Sequence, residues 1–328
     1  MDFSWSEEQK TLKKGVIEFA LAELNHGLSE REKQGAFSRA EWKKCADFGI
    51  QGIVVPREFG GSEKDVLTAA LMMEGLGYGC RDLGLIFGIN AQIWSVQLPI
   101  LNFGTEAQKS RYLPAMCAGE MVGAHAMTEP DAGSDAFGLR LQAKRANGGY
   151  VLNGEKVYIT NGPTADVALI FGKIAAESGE AGITGFLVER GSHAFEVSQG
   201  VDKMGMRTAQ MGCFRLCDCF VPEENRLGEE GAGMGIFNSS MSWERSLIFS
   251  SHIGAMERQL EKCVNYARKR TQFGSPIGKF QSISNRIANM KLRLETSRLI
   301  LYRTAWLKAQ GKAAPLDAAL TKLYLTGR

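Results

Sequence analysis

Over residues 1–122, apolar positions recur at three- and four-residue intervals, the spacing of one helix face. Ser6 followed by Gln9 reads as a capping box at the front of the first helix. The Pro/Gly stretch Val55-Pro56-Arg57-Glu58-Phe59-Gly60-Gly61-Ser62 interrupts the helical pattern with a loop. From 123 to 232 the period shortens. Leu139, Leu141 and Ala143 alternate, Asn147-Gly148-Gly149 turns the chain, and Tyr150-Val151-Leu152, Asn153-Gly154 and Val157-Tyr158-Ile159-Thr160 follow. Asn-Gly between alternating runs predicts hairpins. Ala168-Leu169-Ile170-Phe171 and Gly185-Phe186-Leu187-Val188 read as buried strands, and 233–328 is helical again. The predicted class is α+β: an N-terminal helical domain (1–122), a central antiparallel β domain (123–232) and a C-terminal helical bundle (233–328). No β–α alternation with a Gly-rich phosphate loop occurs, which argues against a doubly wound dinucleotide fold.

One polar residue disturbs this pattern. On the helix predicted around residue 240, Phe237, Met241, Glu244 and Ile248 share a stripe that is otherwise apolar. A carboxylate there costs several kcal/mol of desolvation unless it is paired, hydrogen-bonded or protonated. Two readings stand on the residues alone. Glu244 pairs with Arg245 or another cation, or it is a general base, since burial brings a carboxyl group toward working pH.

Composition narrows the partners. Hydrophobic residues make up 44% and charged residues 23%, an ordinary globular balance. A net charge of +3, with no basic run interleaved with aromatics, argues against nucleic acid. Met1-Asp2-Phe3-Ser4-Trp5 is not expected to open a signal peptide, and no apolar run is expected to approach the length of a membrane span. Seven irregularly spaced cysteines make no disulfide framework, so a cytoplasmic protein is expected. Cys213, Cys217 and Cys219 are placed on one face of a strand, with His125 and His193 in the same region. That spacing lacks a second ligand pair, and no metal site is expected.

The densest chemical motif is Met127-Thr128-Glu129-Pro130-Asp131-Ala132-Gly133-Ser134-Asp135. Such a loop exposes backbone N–H groups and hydroxyls that suit a heteroaromatic edge or a diphosphate, though a tight surface turn has the same composition. Tyr158-Ile159-Thr160-Asn161-Gly162 and Arg270-Thr271-Gln272-Phe273-Gly274 follow it in order. Together the three segments resemble the acyl-CoA dehydrogenase family of flavoproteins, and the resemblance runs over essentially the whole chain.

The resemblance implies FAD as cofactor and an acyl thioester as substrate. Met127 and Thr128 would meet the pyrimidine side of the flavin, Ser134 would line its junction with substrate, and Tyr158 and Thr160 would cover its face. Arg270, Gln272 and Phe273 would bind the diphosphate or adenosine of FAD in a neighbouring subunit, which implies a homo-oligomer such as a homotetramer. Glu244 would be the catalytic base, a position used by a minority of the family including isovaleryl-CoA dehydrogenases, and Arg245 would orient it or the substrate. Stretches around Glu244-Arg245, Met256-Glu257-Arg258, Gln272-Phe273-Gly274-Ser275-Pro276 and Met290-Lys291-Leu292 look like L-prolyl-carrier-protein dehydrogenases of natural-product pathways. The expected substrate is thus an aminoacyl group on a peptidyl carrier protein, with a short or branched acyl-CoA as the alternative. The electron acceptor would be a flavoprotein or oxygen.

The sequence departs from the family at Lys322-Leu323-Tyr324-Leu325-Thr326-Gly327-Arg328, where relatives continue with further helices. Their absence is expected to weaken FAD binding and to uncover Ile283, Ile287, Met290, Leu294 and Leu301. A flavin-poor structural or regulatory paralogue is the expectation from a different class.

Overall fold

A computed structural model describes residues 4–175, 181–198 and 200–327. Its first helices are α1 (Glu7–Glu23), α2 (Leu28–Gln34), α3 (Arg39–Asp47), α4 (Val66–Gly79), α5 (Leu83–Gln92), α6 (Leu98–Phe103) and α7 (Glu106–Cys117). Strands β1 (Gly123–Ala126), β2 (Gln142–Ala146), β3 (Gly149–Thr160), β4 (Val167–Ala175), β5 (Ala181–Glu189), β6 (Phe195–Val197), β7 (Met211–Pro222) and β8 (Arg226–Leu227) follow. Helices α8 (Gly233–Leu247) and α9 (Ser250–Lys269), strands β9 (Thr271–Gln272) and β10 (Ser275–Pro276), and helices α10 (Gln281–Ala309) and α11 (Pro315–Thr326) complete the order. The helical, β and helical thirds expected from periodicity are all present. By packing, however, the chain divides into two compact units, one of Met1–His26, Asp65–Arg81 and Arg245–Arg328, the other of Gly27–Lys64 and Asp82–Glu244.

The first unit is helical, and its central crossing depends on glycine. A Cβ on Gly77 of α4 would lie 1.7 Å from the Ser251 carbonyl oxygen, and one on Gly254 of α9 would lie 1.9 Å from that of Glu74. The two backbones therefore touch where both side chains are absent. Arg258, one turn further along α9, donates to the carbonyls of Gly77, Tyr78 and Cys80 at 2.6–2.7 Å and closes the carboxyl end of α4. Glu74 is buried in the same crossing and accepts from Lys13 at 2.7 Å, Arg298 at 3.0 Å and the Tyr302 hydroxyl at 2.7 Å. Burial pushes its carboxyl up, but Lys13 and Arg298 outweigh that and hold it below its usual value. The Ser6–Gln9 capping box forms in both directions at 3.1 Å.

The stripe expected to lie bare on α10 is not exposed: Leu294 and Leu301 are buried and Ile283, Ile287 and Met290 are half-buried. The exposed apolar residues are Leu292, Leu299 and Trp306 on other rows of α10, with Leu316, Leu320 and Leu323 of α11. Their spacing shows why: α10 turns its 294–301 face inward, and the outward rows carry apolar residues of their own.

The second unit is built on an eight-stranded sheet ordered β6-β7-β3-β2-β4-β5-β8, with β1 paired to β4. Most pairs are antiparallel as expected, but β4 runs parallel to both β1 and β2. Side chains on both faces are buried, one cluster including Val167, Leu169, Phe171 and Leu187, the other Ile170, Phe186, Phe214 and Leu216. Each such residue contributes about 1.5–3 kcal/mol.

Two local readings need correction. The Asn147-Gly148-Gly149 turn forms, but Asn153-Gly154 is no hairpin: β3 runs straight through it, and the register with β7 slips there. The Asn153 side chain pairs in both directions with Asp218 of β7, at 2.8 and 3.0 Å, so the amide stabilises a bulge rather than a turn. Asp218 has a φ of 59°, and beyond it the in–out alternation of β7 inverts. Cys219 therefore goes into the core while Cys213 and Cys217 stay outside, contrary to their expected common face. No group of three or more metal-ligating side chains occurs among the described residues.

The expectation that no apolar run reaches membrane-span length is also corrected. Leu83–Phe103 is long and apolar enough by length and composition, and 83% of its span-length window is buried inside the protein. This run, α5 continued into α6, is a core helix that carries part of the site.

Candidate active site

The site begins with a proline. Pro99 lies at the second position of α6 and has no N–H to give to the Ser95 carbonyl one turn earlier. The chain answers with a π-helical turn over Ile93–Gln97, in which the Leu98 N–H bonds back to the Ile93 carbonyl. That wider turn carries Trp94 and Ser95, both buried. Trp94 is fixed from below, its indole N–H donating to Asn90 at 2.8 Å, and its ring lies parallel to Trp243 of α8 with centroids 6.3 Å apart. Ser95 donates its hydroxyl to Glu244 Oε2 at 2.6 Å.

Glu244 thus lies where periodicity put it, on the face of α8 that carries Phe237 and Met241 into the core. It is half-buried rather than fully enclosed, and its Oε2 accepts from a hydroxyl on the π turn. Arg245 is exposed, and Ile248 lies past the end of α8 and is buried. Phe237 stacks against His125 of β1 at 5.8 Å and meets Phe171 and Phe137 edge-on at 6.0 and 5.9 Å. His125 as a whole is half-buried, but its Nε2 is sealed off with no protein partner. Burial, helped by the Lys156 ammonium, pushes His125 down to about 4, so the imidazole is neutral at physiological pH.

The Met127–Thr128 stretch leaves β1 beside this cluster and is held from beneath. Lys156 Nζ donates to the Met127 carbonyl at 2.9 Å, and the Val157 N–H to that of Thr128 at 2.9 Å. A second register slip in β3, between Lys156 and Ile159, raises Tyr158 out of the sheet with a φ of 59° and 64% of its surface exposed. Thr128 and Thr160 are half-buried, and Ser134 is exposed on the following loop. A large aromatic ring held outward on strained backbone is costly unless something covers it. The structure thus brings Met127, Thr128, Tyr158 and Thr160 to one region of the β unit. Arg270, Gln272 and Phe273 lie in the helical unit, at the β9–β10 hairpin, all exposed, with Phe273 93% exposed at a φ of 49°.

Comparison with known proteins decides the family. The acyl-CoA dehydrogenase N-terminal, middle and C-terminal domains match residues 6–120, 124–219 and 231–328. The chain belongs to the acyl-CoA dehydrogenase family. It is 40% identical over 327 residues to an L-prolyl-[peptidyl-carrier protein] dehydrogenase of Pseudomonas fluorescens, covering 99% of this chain and 86% of the relative. It is 36% identical over 326 residues to the mitochondrial isovaleryl-CoA dehydrogenase of Arabidopsis thaliana, covering 99% and 79%. Among solved structures, the prolyl acyl carrier protein oxidase AnaB superposes with a TM-score of 0.96 at 46% identity, covering 98% of this chain and 85% of that one. PigA with FAD and proline gives 0.95 at 39% identity, covering 99% and 85%.

Acyl-CoA dehydrogenases are FAD-dependent oxidoreductases, and this chain fits that cofactor. The exposed, strained Tyr158 beside Thr128 and Thr160 is a surface that a flat heteroaromatic ring would cover. The sequence singles out Glu244 and this loop and brings in His125 only as a possible metal ligand, while Ser95 and Lys156 carry no role there. A signal for Ser95 existed: a serine four residues before a proline, inside an apolar helix.

Proposed function

We propose that this protein catalyses FAD-dependent α,β-dehydrogenation of an aminoacyl thioester, a prolyl-like group on a peptidyl carrier protein, in natural-product biosynthesis. The observation that carries this is the Glu244 carboxylate, half-buried on an apolar helix face and fixed by Ser95. A carboxylate in that setting takes the proton α to the thioester carbonyl. Bound FAD supplies the acceptor for the hydride that leaves the β carbon. Phe237, two turns before Glu244 on the same face of α8, packs edge-on against Phe171 and Phe137 and makes that stretch of the face apolar. Met127 and Thr128, on backbone anchored by Lys156, bind the pyrimidine edge of the cofactor, and Tyr158 and Thr160 cover its face. Ser134 lines the junction with substrate, and Arg245 orients the base or the substrate. Arg270, Gln272 and Phe273 reach the FAD of a neighbouring copy in a homo-oligomer, a reading their exposure supports.

Relatives named for prolyl-carrier-protein oxidation support the substrate class. The likeness to isovaleryl-CoA dehydrogenases favours a second reading, a short or branched acyl-CoA. Anaerobic mixing of FAD-loaded protein with prolyl-loaded carrier protein, prolyl-CoA and isovaleryl-CoA separates them. The proposal expects the carrier-bound prolyl group to bleach the flavin fastest. Faster bleaching by isovaleryl-CoA would favour the second reading, and a protein that takes up no FAD would contradict both.

A further inference from the structure

Ser95 belongs to none of the segments that carry the family resemblance, yet its hydroxyl donates directly to the carboxylate of the proposed base. It is 1% exposed, its hydroxyl lies 2.6 Å from Glu244 Oε2, and it stands on the one turn of the Leu83–Phe103 run that has widened to π geometry. The turn is held on both sides. Pro99 prevents an ordinary helical bond to the Ser95 carbonyl, and the Trp94 ring, tied to Asn90, packs parallel to Trp243, the residue before Glu244. Rings fixed next to both members of the pair leave the Ser95 hydroxyl and the Glu244 carboxylate little freedom to separate. π turns of this kind recur where a side chain must be presented at a functional site.

We propose that Ser95 is the positioning residue for Glu244: its hydroxyl fixes the carboxylate's rotamer and plane so that it meets the substrate's α hydrogen in line. This rests on the assignment of Glu244 as the base. A glutamate has three rotatable side-chain bonds, and holding it in one arrangement before substrate arrives removes that ordering cost from the barrier. An O–H bonded to a carboxylate at this distance is of the strong, charge-assisted kind. Because Ser95 acts only through Glu244, its removal slows proton abstraction without weakening substrate binding.

The test is Ser95→Ala alone and combined with Glu244→Asp, which draws the carboxylate back from the hydroxyl. Flavin reduction is followed anaerobically with substrate protiated or deuterated at the α carbon. Ser95→Ala is expected to lower the saturated rate of flavin reduction about 10- to 100-fold, to leave KM within about threefold, and to enlarge the α-deuterium effect. In the Glu244→Asp background it is expected to change the rate by less than about twofold, because the contact is already gone. Equal slowing in both backgrounds would mean that Ser95 merely supports the fold and would overturn the proposal, as would a wild-type rate in Ser95→Ala. A readout free of turnover is carboxyl 13C NMR of glutamate-labelled apoprotein: the resonance lost in Glu244→Gln should shift in Ser95→Ala, and an unmoved resonance contradicts the contact. Failure of the underlying assignment looks different, since Glu244→Gln would then retain flavin reduction whatever Ser95 does.

Discussion

Lys156 Nζ lies 2.8 Å from Glu129 Oε1, a charge pair almost wholly enclosed in the β unit. Glu129 also accepts the backbone N–H groups of Arg140 and Leu141, and Lys156 reaches the Met127 carbonyl. One pair therefore ties β3, the 127–135 loop and the start of β2 together directly beneath the proposed flavin surface. Breaking a buried pair by removing one partner typically costs about 3–5 kcal/mol, because the other charge is stranded. Lys156→Met is expected to lower unfolding free energy by that order and to loosen FAD. Denaturant titration with flavin release as a second readout checks it, and an unchanged midpoint would show that the pair is dispensable.

His125 makes stability depend on pH. Its folded value is about 4 against an ordinary 6.5, so below pH 6.5 the unfolded chain takes up a proton that the folded chain refuses. Stability from this group is complete above pH 6.5 and falls as pH drops toward 4. Each tenfold change in proton affinity corresponds to about 1.4 kcal/mol. Partial exposure of the residue softens the full effect, leaving about 1–3 kcal/mol over the interval. His125→Leu should flatten the wild-type decline between pH 7 and 4 in denaturation midpoints by that amount, and parallel curves for the two proteins would refute it.

The helical unit should fail at its glycine crossing. Gly77→Ala and Gly254→Ala each place a methyl group within 2 Å of a backbone carbonyl that has no room to withdraw. Helix propensity alone favours alanine by about 1 kcal/mol, so a gain in stability would show that α4 and α9 do not meet this closely. Far-UV circular dichroism melts are expected to show a loss instead.

Tyr158 sits on backbone that disfavours any side chain with a Cβ, at a φ of 59°. Tyr158→Gly should relieve strain of about 1 kcal/mol or more in the apoprotein while weakening FAD binding. Calorimetry on the apoprotein and fluorescence titration with FAD separate the two effects. Loss of both together would mean that the ring is packed for stability, against its exposure.

Much of this was legible in the sequence because period and capping are local. The helix–sheet–helix order, the Ser6–Gln9 box and the unusual placement of Glu244 all follow from spacing. The remainder depends on what lies across a strand or a helix. Asn153-Gly154 has the composition of a turn, and only its pairing with Asp218 makes it a bulge. The same bulge sends Cys219 inward, and strand periodicity cannot see it. The parallel β1–β4 and β2–β4 pairs arise from long returns that leave no short-range trace. Ser95 was hidden in an apolar run whose π turn is set by Pro99, and its partner lies 149 positions away.

Glu244→Gln keeps the side chain's shape and removes its basicity, which makes it the most direct test of the proposed chemistry. In anaerobic stopped flow with prolyl-loaded carrier protein, the variant should hold FAD as the wild type does and lose flavin bleaching by about 10³-fold or more. Bleaching at the wild-type rate with FAD fully bound would contradict the account.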